Sequence, residues 1–181
     1  FGRLIRKDGT SENVELMPKI YANERTMLNY TLDAKGTISG DFKQQLTNHN
    51  ALEFRKKHVS TSKDSYLENL ENQYNNIEIN DYVRDNETDL DKGIVESFNF
   101  NDTKNVEIIN NKIYFSPLLF LREKENPFKQ EVREYPVDFG FPTNDQQTIS
   151  IEIPDGYAVE SMPKSINIAS GENVAAYKYL I

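Results

Sequence analysis

Few side chains in this 181-residue sequence could carry covalent chemistry, for it has no cysteine and two histidines, His49 and His58. Without cysteine there is no thiolate nucleophile, no disulfide and no Cys-based zinc site. The redox compartment stays open, because a Cys-free chain suits either side of a membrane. Serine catalysis needs a histidine base held by a carboxylate. If His49 and His58 share one helix, their separation of nine positions, at roughly 100° each, turns them to opposite faces. They then cannot line one site or bind one metal together. No Gly-x-Ser-x-Gly turn occurs, and the eight glycines never come closer than Gly36 and Gly40, which removes the loops that cradle phosphate. The expectation is a chain with no catalytic residue, no metal site and no cofactor.

The acidic run from Asp85 to Asp91 has part of the spacing of a calcium loop. With Asp85 first, Glu87, Asp89, Asp91 and Glu96 fall at the third, fifth, seventh and twelfth positions. The sixth is Leu90, where such loops turn on glycine, and the flanks alternate like strands instead of helices, so calcium is disfavoured. Asp and Glu are abundant, but no spacing singles out a pair for glycoside cleavage. For binding, the candidates are the aromatics Tyr135, Phe139 and Phe141, with Tyr157 nearby, since sugar-binding surfaces favour stacked rings. The lack of tryptophan weakens that reading, and alternating aromatics in a strand are more often core. Asn29-Tyr30-Thr31, Asn86-Glu87-Thr88 and Asn101-Asp102-Thr103 fit the glycosylation acceptor pattern, which chance explains in a chain so rich in asparagine.

The net charge of −8 and pI near 4.9 argue against a nucleic-acid partner. The densest basic stretch, Arg55 to His58, is small and reads as a solvated helix face. No apolar run approaches the ~18 residues of a spanning helix. The chain opens in Phe1-Gly2-Arg3-Leu4-Ile5 and stops within a strand-like run, which suggests a piece of a longer polypeptide.

Turn chemistry dictates the elements that must position these residues. Asp8-Gly9, Asn110-Asn111 and Asp33 to Gly36 sit between alternating runs as hairpin turns, and Pro154-Asp155-Gly156 is a further tight turn. Period-two runs include Leu28, Tyr30 and Leu32; Ile38, Gly40 and Phe42; Phe98 and Phe100; Tyr135, Val137 and Phe139; and Ile149, Ile151 and Ile153. About ten strands are too many for one sheet to hold without curling or splitting. The expected fold is mainly β, a two-sheet antiparallel β-sandwich over a single domain, 1–181, with any division into lobes near 85–92. From about 49 to 75 the pattern turns helical: Ala51 to Val59 forms a first helix, and Tyr66, Leu67, Leu70 and Tyr74 follow the capping residues Thr61-Ser62. This insertion is expected to cover an edge or open end of a sheet.

Glu125-Asn126-Pro127-Phe128-Lys129, the block Arg133-Glu134-Tyr135-Pro136-Val137-Asp138-Phe139-Gly140-Phe141-Pro142 and the run from Ile153 to Pro163 resemble the C-terminal region of bacterial transglutaminase-like proteins that also carry an N-terminal β domain. Gly2 to Ile5 and Ala51 to Lys57 are similar to the stretch that follows the papain-like core of that family. The resemblance implies an exported protein with a Cys-His-Asp core, in which this chain is the C-terminal β domain of unknown function. None of the triad falls within these residues.

The function expected on that basis is a non-catalytic accessory domain, periplasmic or secreted, that packs on the other domains of the same polypeptide and shapes access to the core. The alternative is an independent module that binds polysaccharide or a cell-surface protein.

Overall fold

A computed structural model describes residues 2–75, 77–123, 125–135, 137–171 and 174–181. Its strands are β1 (Gly2–Ile5), β2 (Ser11–Val14), β3 (Ala22–Leu32), β4 (Ile38–Leu46), β5 (Glu78–Asp85), β6 (Ile94–Asp102), β7 (Val106–Ile109), β8 (Lys112–Phe115), β9 (Thr143–Glu152), β10 (Ile166–Ala169) and β11 (Ala176–Tyr179). Two helices, α1 (Asn48–His58) and α2 (Lys63–Gln73), lie between β4 and β5, and a 3-10 turn covers Leu119–Leu121. The chain is therefore mainly β, with its helices where the periodicity places them.

A five-stranded sheet in the order β5-β6-β4-β3-β9 carries the fold. Alternation gives it two unlike faces. Leu28, Tyr30, Leu32, Ile38, Phe42, Phe98 and Phe100 point inward and are buried, while Met27, Thr31, Ser39, Lys43 and Asn99 point to solvent. Gly40 stands opposite Tyr30 and Phe100, and a Cβ there would come within 2.3 Å of the Asn29 carbonyl oxygen and 2.7 Å of the Tyr30 Cβ, so only glycine lets β3 approach so closely. Over the inner face lie α2, the 3-10 turn and the β7-β8 hairpin: Tyr66, Leu119 and Phe120 are buried in the same cluster, with Leu70, Tyr74, Val106, Ile113 and Phe115 packed on it. This layering is consistent with a β-sandwich-like fold.

The hairpin turns form as their residues dictate. Asn110 and Asn111 both adopt positive φ, 50° and 63°, which matches the twist of the flanking strands. Asp33 closes the β3-β4 turn by accepting the N–H groups of Lys35 and Thr37 at 2.8 and 2.7 Å. Ser62 caps α2, accepting the Ser65 N–H at 3.2 Å.

Three expectations need correction. The main sheet is not purely antiparallel, since β9 runs parallel to β3 along its whole length, Ala22 opposite Thr143 to Thr31 opposite Glu152. A parallel partner requires a long crossover, and the segment between β8 and β9, with Leu119 and Phe120 anchored in the core, supplies it. The Pro154-Asp155-Gly156 turn forms, with the Tyr157 N–H on the Pro154 carbonyl at 3.1 Å, but residues 157–165 pair with no strand. Tyr135, Val137 and Phe139 lie in irregular backbone instead of a strand, and Pro136 falls outside the described residues. The reason is local: Asn126 and Asp138 side chains accept the N–H groups of Phe128 and Gly140 at 2.9 and 2.8 Å, and such turns compete with a ladder. Finally, α2 covers a face of the sheet and not its edge, with Tyr74 stacked on Phe120 at 4.5 Å and beside Phe42. The segment 86–93 joins two neighbouring strands of one sheet.

Candidate functional site

The three aromatic residues singled out by type are on the surface. Tyr135 is 78% exposed and Phe139 69%, while Phe141 is half-buried and stacks on His49 at 4.6 Å with 21° between the ring planes. No ring contact joins the three to one another among the described residues. They do not form a single platform, although two of them are open to a partner.

The acidic loop is organised around a cation of the protein itself. The Arg55 guanidinium, projecting from α1, donates to the backbone carbonyls of Asn86, Glu87, Asp89 and Lys92 at 2.9, 3.1, 2.6 and 2.7 Å. The loop's backbone thus turns around the Arg55 guanidinium. Glu96, the twelfth position of that register, faces the other way, into the core beneath the helices.

There it forms the most polar feature of the interior. Glu96 accepts the Tyr66 hydroxyl at 3.1 Å and makes a short contact with the Tyr82 hydroxyl. Arg84, opposite Glu96 in the β5-β6 register, reaches the Tyr82 hydroxyl at 2.8 Å and Glu96 at 3.3 Å, and pairs with Glu87 at 2.9 Å. The guanidinium also lies over the rings of Tyr66, Phe54 and Tyr82, at 4.3, 4.9 and 5.6 Å. Burial, and then the Glu96 carboxyl, push the Tyr66 hydroxyl well above its ordinary range, so it stays a neutral donor. Burial pulls Arg84 downward, but Tyr82, Glu87 and Glu96 outweigh it, and the guanidinium stays charged. Each of these residues bonds another, in the manner of a structural lock, although the buried Arg84 Nη2 has no hydrogen-bond partner among the described residues.

Beside this lock a shallow trough runs along α1. One part, of about 540 Å³, is lined by Glu24, Leu46, Asn50, Glu53 and Lys57; the adjoining part, of about 390 Å³, by Gln44, Thr61, Asn69, Gln73 and Tyr74. Phe54, Lys57 and His58 border both. Burial, then the charges of Lys57 and Arg84, hold the His58 imidazole below its ordinary value, so it is neutral at pH 7. Burial, then Asp145 opposite it on β9, raise the Glu24 carboxyl, and Gln44 donates to it at 2.7 Å. No serine or threonine hydroxyl bonds His58 among the described residues. His49 and His58 do lie on one helix in separate surroundings: the first meets Phe141, the second Phe54 and Tyr66.

Residue types alone did not bring out the Glu96 lock. The signal was present, since Glu96 occupies an inward position between Ile94 and Phe98, where a carboxyl has to find buried donors. Nothing in local spacing names Arg84 or Tyr66 as those donors.

Residues 111–181 match the family described as Domain of Unknown Function with solved-structure structure (DUF3858). That stretch contains β8 to β11 and the exposed candidates Tyr135 and Phe139. No curated protein and no solved structure gives a significant match to the chain.

Proposed function

We propose that the chain is a non-catalytic accessory domain of a longer, exported transglutaminase- or peptidase-like polypeptide, and that it packs on the other domains of that polypeptide through its C-terminal third. The observation that carries this reading is the placement of apolar side chains after the 3-10 turn. Val132, Tyr135, Phe139, Val174 and Leu180 are between 66% and 80% exposed, and no described residue beyond Phe120 is buried. Packing on another domain would take these side chains out of water. The resemblance of Tyr135 to Pro142 and of Ile153 to Pro163 to the transglutaminase-like proteins supports the context and the extracytoplasmic location.

The test is made in the longer polypeptide. Deleting residues 1–181, or replacing Tyr135 and Phe139 with serine, lowers its melting midpoint or its activity. If both stay unchanged, the reading is wrong.

A second reading, an independent module for polysaccharide or a cell-surface protein, gains from the exposure of the Tyr135 and Phe139 rings. Tyrosine fluorescence of the isolated chain titrated with soluble cell-wall polysaccharide discriminates: saturable quenching that Tyr135→Ala abolishes supports the module.

A further inference from the structure

The two edges of the main sheet are built differently. At one edge, β5 is interrupted: its register with β6 shifts between Asn80 and Val83, Asp81 takes φ of 53°, and the Lys63 ammonium donates to the Tyr82 carbonyl at 3.2 Å. A bulge and a covering lysine are what keeps an edge from recruiting another strand. At the other edge, β9 runs ten residues in unbroken register with β3 and has no lysine, no arginine and no proline. Its outer side has no strand neighbour among the described residues. Roughly half of its backbone N–H and C=O groups therefore point away from β3, spaced for a further ladder.

The side chains of β9 define what would add there. On the inner face, Ile149 and Ile151 stand opposite Leu28 and Tyr30 and pack against the core, yet Thr143, Asp145 and Gln147, opposite the buried Ala22, half-buried Glu24 and buried Thr26, are exposed. The inner layer stops one strand short. Asp145 and Glu24 are two carboxyls side by side, the first exposed and the second half-buried, and neither has a cationic partner among the described ion pairs. A second copy of β9 brings no Lys or Arg to them, so it would set Asp145 against an uncharged side chain or another acid.

We infer that the β9 edge is a strand-addition site for an extended segment of a separate polypeptide, carrying a lysine or arginine beside Asp145 and branched apolar side chains beside Ile149 and Ile151. In β9 these positions are four and six residues apart, so the segment follows the pattern basic-x-x-x-apolar-x-apolar or its reverse. Main-chain bonds supply affinity, and the alternate side chains supply selectivity. The inference does not depend on the accessory-domain reading, since it concerns the isolated chain.

The test uses the full chain and two synthetic peptides of threonine and serine with valine at both apolar positions, one with lysine and one with glutamate at the charged position. At low salt the lysine peptide binds saturably and about tenfold tighter than the glutamate peptide, as opposite charges favour and like charges oppose adjacent strands. Amide exchange of residues 143–152 slows in its presence while that of β5 does not. Asp145→Lys, shown by circular dichroism to keep the strand signal, reverses the preference. Absence of saturable binding, equal binding of the two peptides, or protection outside β9 overturns the inference. So does a concentration-dependent dimer with β9 protected, which would make a second copy the occupant. Asp145→Asn, which keeps the size of the side chain, loses the discrimination between peptides while retaining binding.

Discussion

Up to Phe120 and after it, the chain uses much the same side chains to opposite effect. Before that point alternating strands bury Leu28, Ile38, Phe42, Phe98 and Phe100; beyond it Ile166, Ile168 and Tyr177 alternate in β10 and β11 and remain exposed. Hydrophobic content does not separate the two regions. The difference is in neighbours: β3, β4 and β6 each have strands on both sides and a layer above, whereas β9 has one neighbour and the β10-β11 hairpin pairs with itself alone. A strand pattern prepares a face for burial, and only a second layer completes it.

The comparison breaks most sharply under truncation of large side chains. Leu28→Ala removes a fully buried residue and is expected to cost about 2–5 kcal/mol in a denaturant titration, while Tyr135→Ser in the isolated chain stays within about 0.5 kcal/mol. Equal losses would mean that the two regions share one core.

The Glu96 lock comes next. Glu96→Ala leaves the buried Tyr66 hydroxyl without its acceptor and Arg84 with Glu87 as its one remaining carboxylate, with an expected loss of about 2 kcal/mol. Glu96→Gln keeps a partner for the hydroxyls and loses less. An order reversed between the two variants would contradict the lock.

Smaller still is the helix cap: Ser62→Ala removes the acceptor for the Ser65 N–H and should cost about 1 kcal/mol. The smallest effect tests the edge of the sheet. Because the Glu24 carboxyl is raised, the folded chain favours its protonated form, so folding is opposed once pH rises through the unfolded value and is relieved as pH falls. Glu24→Gln is therefore expected to raise the melting midpoint slightly at pH 7, and the advantage over the parent chain should vanish in acid. A variant less stable at pH 7 would contradict this, and would mean that the bonds to the carboxylate, such as that from Gln44, outweigh its burial.

Much of the first region was legible in the residues. Asn110-Asn111 and the Asp33 to Gly36 turn carry their own backbone chemistry, and Ser62 with Tyr66, Leu70 and Tyr74 carry the second helix. The parallel placement of β9 was not legible, because Ile149 and Ile151 alternate in the same way beside either kind of partner. Nor was the exposure of Tyr135 and Phe139: their spacing suits a strand, but the Asp138 and Asn126 side chains engage the backbone that a ladder would need. Among site residues, the separation of His49 from His58 followed from helical geometry. The Arg84, Tyr66 and Glu96 lock joins residues from two strands and a helix, and only the fold brings them together.

Backbone hydrogen exchange of the isolated chain tests the central contrast most directly. Amides of β3, β4 and β6 should be the slowest, protected by global unfolding, and those of 157–165 and of β10 and β11 should exchange by local opening, faster by several orders of magnitude. Protection in β10 and β11 equal to that of β4 would contradict the account, since it would require a core where apolar side chains now face solvent.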